Sequence, residues 1–387
     1  MKNVVILGST GTIGINTLKV IDLFPDRFRV VGLTAYNNAQ LLEKQIRKYS
    51  PTHVAIGLEG IEYLKKLFDK KKVNIFNVQS QDDIKEIVTL KDVDIVVVGI
   101  RGSAALYPFL SALRSGKTVA PANKEALVVA GHILMAESKK HKAPIIPIDS
   151  EQSAIFQCLN GRVDHKLKGI YLTASGGALL NVPKSKFSQL SVKQILNHPR
   201  WKMGKKITVD SATLMNKGFE VIEACWLFDL SVDQVQVVIH PEAIIHSMVE
   251  FIDGSILAQL GITDMRLPIQ YALTYPERLE SKLEQIDFFK LKQLNFQKPD
   301  FKKFPSLALA IDVARKSGTL PSVLNAADEE AVDAFLSERI KFSKIYPIVE
   351  KVVAKHHSIN NPRINDILEA DCWARQEARK VISKNVT

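Results

Sequence analysis

An α/β protein is predicted, with a doubly wound, Rossmann-like parallel sheet over residues 1–149. Three observations carry this. Runs rich in Val and Ile recur at 4–8, 28–34, 53–57, 74–78, 94–99, 118–120 and 144–148. Amphipathic stretches such as AQLLEKQIRKY and DDIKEIVTL separate them. Strands that are apolar throughout are buried on both faces, as happens when helices cover a parallel sheet on both sides. The third observation is GSTGTIG at 8–14, a glycine-rich turn straight after the first run. Sheets of this kind hold ligands beyond the carboxyl ends of their strands.

The pattern changes after Asp149. Over residues 150–285, GIYLTASGG and QVQVVIHPEAIIHSMVEFIDGSILAQLG read as strands and KGFEVIEACWLFDL as a helix, which suits a second, α+β domain. Residues 286–305 lack clear periodicity and read as a linker. Residues 306–387 are helical by period, with Gly318, Pro321 and Pro362 as breaks, and predict a C-terminal helical domain.

A chain of 387 residues exceeds one hydrophobic core, and its 46% hydrophobic and 24% charged residues are ordinary for a globular protein. No apolar run is long enough to span a membrane, and MKNVVILG has no signal-peptide pattern. Three scattered cysteines, Cys158, Cys225 and Cys372, fit reduced thiols and a cytoplasmic setting. The net charge of +11 points to an anionic partner. Lys and Arg form no long basic block, and KKLFDKKK at 65–72 reads as a solvated helical face. A small anion is therefore favoured over nucleic acid.

GSTGTIG is spaced GxxGxxG, suited to bringing backbone N–H groups and a helix N-terminus to a pyrophosphate, although a tight strand–helix turn would use the same glycines. The second strand ends LTAYNNA, where an NAD enzyme tends to place an acid; Asn37 and Asn38 stand there instead, which leans to NADP. In PANKEALVVAG, Asn123, Lys124 and Glu125 either position a ligand or form an ordinary first helical turn. Asp149 and Glu151 follow the run at 144–148, at a strand's carboxyl end. VDSATLMNKGFEVIEA brings Ser211, Asn216, Lys217 and Glu220 into one stretch, the first three being donors to phosphate oxygens. Lys217 and Glu220 share a helix face. Ser175 precedes two glycines, in a donor loop or a plain turn. NHPRWKMGKK at 197–206 has the make-up of a closing loop or an exposed connection. Asp149, Glu151 and Glu220 are oxygen ligands of the kind Mg²⁺ or Mn²⁺ takes. His240, Glu242 and His246 in HPEAIIH are a rival metal set, but without HExxH spacing a strand-and-turn role is expected.

GSTGTIG, ANKEALV, DSEQSAIFQCL, ASGG, NHPRWKMGKKITVDSATLMNKGFEVIEACWLF and HSMVEFIDGSILAQLGITDMRLPIQYALTYPER occur in this order. Together they resemble the 1-deoxy-D-xylulose 5-phosphate reductoisomerases, from the first strand to about residue 278. The resemblance implies NADPH, a divalent ion (Mg²⁺ or Mn²⁺, with Co²⁺ acceptable), a small phosphorylated sugar substrate and a homodimer. It implies Asp149, Glu151 and Glu220 as metal ligands. Lys124, Ser150 and Glu151 would touch the substrate, and Ser175, Ser211, Asn216 and Lys217 would hold its phosphate and backbone. His198 and Trp201 would ride on a mobile lid. Thr10, Gly11, Thr12, Ile13, Asn38, Asn123, Glu125 and Gly204 would contact NADPH. The implied reaction is a metal-assisted rearrangement of a hydroxyketone by retro-aldol cleavage and re-addition, followed by hydride reduction of the aldehyde.

Some positions depart from the commonest family pattern. Tyr36 and Asn37 replace a Gly and a basic residue, GGALL replaces GGPF, and Glu242 replaces a Gln. Two other classes compete. Another Rossmann oxidoreductase, acting on a semialdehyde or hydroxy substrate, would not need the acid triad or the phosphate donors. A non-catalytic nucleotide-sensing or nucleic-acid-binding protein is suggested by charge alone.

Overall fold

Six parallel strands build the N-terminal sheet: β1 (Lys2–Leu7), β2 (Phe28–Thr34), β3 (His53–Ile56), β4 (Asn74–Asn77), β5 (Ile95–Val98) and β6 (Thr118–Pro121). The computed structural model describes residues 1–69, 71–100, 102–160, 166–201 and 203–384. The strand order is β4-β3-β2-β1-β5-β6. The chain winds outward from β1 to β4 and then returns to the other side of β1, so the topological switch point lies between β1 and β5. Val4–Leu7 and Val96–Val98 are fully buried, as continuous apolar strands predict. The helices between strands are α1 (Thr12–Leu23), α2 (Ala39–Tyr49), α3 (Leu58–Leu67), α4 (Gln81–Val88), α5 (Leu106–Arg114) and α6 (Glu125–His141).

At the switch point two loops come close. Gly8 has φ +82°, and a Cβ on it would meet the Gly99 carbonyl oxygen at 3.0 Å. A Cβ on Gly99 would meet the Leu7 carbonyl oxygen at 2.9 Å. Only glycine allows both backbones this approach.

Two local expectations are modified. The run at 144–148 lies along β6, with Val119 N–H donating to Pro144 O and Ile146 N–H to Val119 O, both at 2.9 Å. It forms only an isolated bridge through Ile145, because Pro144 and Pro147 have no N–H to extend a ladder. The face expected at 65–72 is helical only to Leu67; Asp69 then accepts the Lys71 N–H in a turn, and Lys70 lies outside the described residues.

The described chain divides into two compact units. The first comprises residues 1–126, 134–153 and 264–283, and includes the six-stranded sheet. The second comprises 127–133, 154–263 and the chain from 284 onward. Helix α7 (Ser150–Cys158) begins in the first and ends in the second. The second unit has a mixed sheet ordered β10-β9-β7-β8, from β7 (Leu167–Ala174), β8 (Val235–Ile239), β9 (Ile245–Phe251) and β10 (Ile256–Leu260). Its helices α8 (Val192–Ile195), α9 (Lys205–Thr213) and α10 (Met215–Leu227) lie between β7 and β8 in sequence. Helix α11 (Arg266–Thr274) returns to the first unit and packs on α1. A short α12 (Phe288–Leu291) precedes the C-terminal helices α13 (Pro305–Lys316), α14 (Leu320–Leu336), α15 (Ile345–Lys355) and α16 (Ile364–Ser383). Helix α14 is the hub, packed on α13, α15 and α16. No described helix is long and apolar enough to cross a membrane.

Helix α10 joins the mixed sheet to the C-terminal helices. It packs on β7, β8 and α13, and a Cβ on Gly218 would stand 2.3 Å from the Ala310 Cβ of α13. Replacing this glycine must push α13 away. Gly218→Val is expected to lower unfolding stability by about 1–3 kcal/mol, the usual cost of overpacking, read as a lower urea midpoint.

Candidate active site

In the first unit, polar side chains gather at the carboxyl ends of β1, β2, β5 and β6. Gly11 caps α1 without a side-chain bond, so the first-turn N–H groups, including those of Thr12 and Ile13, have no partner within the helix. Gly14 packs that turn tightly, since a Cβ there would lie 2.3 Å from Ser9 Cα. Ser9 is fully buried; its Oγ donates to Gln45 Oε1 at 2.7 Å, and Gln45 Nε2 donates back to Ser9 O at 2.9 Å. The Gly8 N–H donates to Thr34 Oγ1 at 2.9 Å. Ser9, Thr34 and Gln45 thus hold the glycine turn, a role the sequence reading missed, since no local pattern marks these residues as partners. Asn38 uses its side-chain oxygen to cap α2, accepting the Leu41 N–H at 3.0 Å. Asn123 donates to Ile100 O at 2.6 Å and so joins the loops after β5 and β6.

Lys124 is the N-cap of α6 and is 4% exposed. Its Nζ lies 2.7 Å from Asp149 Oδ2. Ser150 donates to Glu151 Oε2 at 2.5 Å. The bridge at Ile145 brings Asp149 to the end of β6, just where Lys124 starts the next helix. A buried ammonium beside a buried carboxylate is an arrangement with a use, because burial of both ions is costly.

In the second unit the loop after β7 turns through Gly176 at φ +83° and Gly177 at φ +65°. A Cβ on Gly177 would meet Ser211 O at 2.5 Å, so the turn is pressed against α9. His198 Nε2 then lies 3.2 Å from Ser175 Oγ and 3.1 Å from Ser211 Oγ. Its Nδ1 accepts the N–H groups of Arg200 at 3.2 Å and Trp201 at 2.9 Å. With Nδ1 used as an acceptor, the ring hydrogen belongs on Nε2, aimed at the two serines. Trp201 is half-buried, with its ring 6.2 Å from that of His246. Arg200 Nε donates to Pro241 O at 2.9 Å. Gly204 caps α9, and Lys202 lies outside the described residues.

On α10, Lys217 and Glu220 form an ion pair with side chains 4% and 1% exposed, and Asn216 Nδ2 donates to Glu220 Oε1 at 2.5 Å. This is no surface pair. The rival set in HPEAIIH takes a structural role. His240 is fully buried and stacks on Phe296; its Nε2 accepts the N–H groups of Ile244 and Ile245, each at 3.2 Å, and its Nδ1 lies 2.9 Å from Asn295 O. Glu242 binds Asn295 through the backbone N–H at 3.1 Å and the side chain at 2.6 Å.

Burial pushes the His198 pKa below the ordinary histidine value. The neutral ring is therefore favoured in the folded state. Because the folded value lies below the unfolded one, the linked stability is complete above about pH 6.5 and is lost as pH falls from there through the lower folded value. A ¹⁵N-edited NMR titration should show the Nε2–H tautomer, protonating below the ordinary range. The urea midpoint of the native protein should fall more steeply on the acid side than that of His198→Asn.

Comparisons with known proteins agree along the whole chain. The family description 1-deoxy-D-xylulose 5-phosphate reductoisomerase matches residues 4–131, and its C-terminal domain matches 145–228. A further DXP reductoisomerase C-terminal domain matches 260–377. The reductoisomerase of Pelotomaculum thermopropionicum is 48% identical over 383 residues, 99% of each chain. That of Thermoanaerobacter pseudethanolicus is 49% identical over 381 residues, 98% of this chain and 99% of the other. A crystal structure of DOX-P reductoisomerase in complex with NADPH, fosmidomycin and magnesium superposes with a TM-score of 0.92 at 39% identity, covering 100% of this chain and 98% of the other. The Zymomonas mobilis enzyme in complex with NADPH superposes at 0.91 with 37% identity, covering 98% and 99%. With three family matches in chain order and relatives close to half identical over its full length, this chain belongs to the 1-deoxy-D-xylulose 5-phosphate reductoisomerase family.

Proposed function

We infer that this chain catalyses the NADPH- and divalent-metal-dependent rearrangement and reduction of 1-deoxy-D-xylulose 5-phosphate to 2-C-methyl-D-erythritol 4-phosphate, an isoprenoid precursor. Beyond family membership, the observation that carries this is the convergence of Ser175, His198 and Ser211. Two hydroxyls and an imidazole N–H within about one hydrogen-bond length make a ready seat for phosphate oxygens. Another semialdehyde or hydroxy-acid dehydrogenase has no use for it.

In this reading residues 1–149 bind NADPH, with contacts from Thr10, Gly11, Thr12, Ile13, Asn38, Asn123 and Glu125, and from Gly204 on the lid. Residues 150–285 bind metal and substrate, 286–305 link, and 306–387 form the helical domain. Asp149, Glu151 and Glu220 would hold the ion, as the family resemblance implies. An all-carboxylate set suits Mg²⁺ or Mn²⁺, and Co²⁺ is acceptable. When bound, the ion supplies Lewis acidity at the substrate's carbonyl oxygen and NADPH supplies the hydride.

The chain's own groups do the rest. His198 stays neutral and keeps its Nε2 hydrogen for the phosphate, with Ser175, Ser211 and Asn216 donating beside it. The charge of Lys217 offsets that of the phosphate. Lys124 offsets Asp149 and, with Ser150 and Glu151, faces the sugar hydroxyls. Trp201 covers the carbon skeleton and excludes water as the loop closes.

A homodimer suits β10, a sheet-edge strand with Ile256 and Leu257 each 49% exposed. Unpaired apolar edges are ready to pair with another chain. The cytoplasmic reading is supported by Cys158, Cys225 and Cys372 lying far apart in the sequence and in no CxxC pair.

The direct test is loss of NADPH absorbance with 1-deoxy-D-xylulose 5-phosphate and Mg²⁺; no turnover would overturn the assignment. Glu220→Gln leaves the buried Lys217 without its carboxylate and should cost about 3–5 kcal/mol of stability; in the protein that stays folded and still binds NADPH, Mn²⁺ should weaken by at least the roughly 10–100-fold typical of removing a ligand's supporting partner. Near-normal turnover at limiting Mn²⁺ would remove Glu220 from the metal site. The missing acid after β2 also predicts a higher kcat/KM with NADPH than with NADH, and equal use of both would show that Tyr36 and Asn37 have changed the pocket.

A further inference from the structure

Helix α9 carries a second charged cluster that the proposed chemistry does not use. Lys206 stands in the first turn of α9, where the helix dipole disfavours a cation. It is nevertheless largely buried, with a side chain 14% exposed. Its Nζ lies 2.6 Å from Asp210 Oδ2, one turn on, and 2.8 Å from Asp328 Oδ2 on α14. It also sits 4.8 Å from the centre of the Phe219 ring of α10. Asp210 and Asp328 are 2% and 1% exposed, and their carboxyl groups lie within hydrogen-bonding reach of each other. Burial and the neighbouring Asp328 push the Asp210 carboxyl well above the usual carboxylate range. Two acids competing for one ammonium in a dry site is a costly arrangement that α9 would avoid if packing alone were required.

The position of this cluster gives it a use. Asp210 is followed directly by Ser211, whose hydroxyl meets His198 Nε2 at 3.1 Å. Lys206 follows the α9 cap, Gly204, by two residues, at the end of the loop that carries His198 and Trp201. The nine-residue α9 is therefore tied to α14 at its start, while its far end presents Ser211. We propose that Lys206, clamped by Asp210 and Asp328, is a positioning residue that sets α9 against α14 and so aligns Ser211 and His198 for the substrate phosphate. The C-terminal helical domain thereby takes part in phosphate recognition through Asp328. The inference rests on Ser175, His198 and Ser211 being the phosphate seat.

The test compares Lys206→Met, Asp328→Asn, Lys206→Arg and Ser211→Ala in the full chain, with melting temperature as the check on folding. The readouts are KM and kcat for 1-deoxy-D-xylulose 5-phosphate, kcat/KM for unphosphorylated 1-deoxy-D-xylulose, and the inhibition constant of inorganic phosphate. Lys206→Met and Asp328→Asn should raise KM and the phosphate constant about tenfold, the worth of one misdirected hydrogen bond to a charged group. Neither should change kcat/KM for the unphosphorylated sugar. Lys206→Arg keeps the cation and should recover most of the loss. Should Lys206→Met fail to fold, the near-isosteric Asp328→Asn decides. A wild-type phosphate constant in both variants beside an impaired Ser211→Ala overturns the clamp alone, as does an equal loss with both sugars. A wild-type constant in Ser211→Ala overturns the phosphate seat and the clamp with it.

Discussion

The ion pair of Lys217 with Glu220 on α10 is the interaction on which the second unit depends. Ten residues of this 13-residue helix are buried, and Lys217, Glu220 and Glu223 are among them. An uncompensated charge at such a site destabilises by about 3–5 kcal/mol. The helix is thus stable where it is only because the charges answer one another, with Asn216 adding a bond to Glu220. That in turn lets the apolar residues Phe219 and Ile222 join the core with α13 and α14, and lets Gly218 bring α10 against Ala310. A helix that carries a carboxylate and an ammonium has been made part of the core, so its side chains are held rather than waving in solvent.

The same rule recurs elsewhere. Lys124 answers Asp149 in the first unit, and Lys206 answers Asp210 and Asp328 in the second. In each case one or two acids stand where water cannot reach and a lysine is supplied by a neighbouring turn or helix. Each pair is a poor contributor to stability compared with an apolar substitute of the same shape. In the proposed function their value would be pre-organisation, since groups that need not move when a substrate arrives cost nothing to orient. Close backbone approach does comparable work with no charge. Gly8 and Gly99 let the loops after β1 and β5 nearly touch, and Gly177 presses the loop after β7 on α9.

Legibility differed with the range of the interaction. Six of the seven apolar runs in residues 1–149 are strands, because continuous apolar sequence is itself the condition for burial on both faces. The run at 144–148 forms an isolated bridge instead of a strand, because Pro144 and Pro147 withhold the N–H groups of a ladder. The residues singled out at 124, 149, 175, 198, 211, 217 and 220 were visible as polar groups at strand ends or among apolar neighbours. Ser9, Gln45 and Asp328 were not. Their partners lie 36 residues away for Ser9 with Gln45, and on another helix for Asp328, and no local spacing encodes such a pairing.

What the sequence by itself determined is therefore local and periodic: the alternation of strand and helix, the glycine turn at 8–14, the acids after the run at 144–148, and an ordered set of motifs. These depend on residues within a turn or two of one another, where sterics and the apolar period decide. Tertiary structure alone decided which charges are buried and which nitrogen of His198 faces the serines. The physical reason is that burial and hydrogen-bond partnership are set by elements distant in the chain, such as α14 against α9, and neither is a property of any one segment.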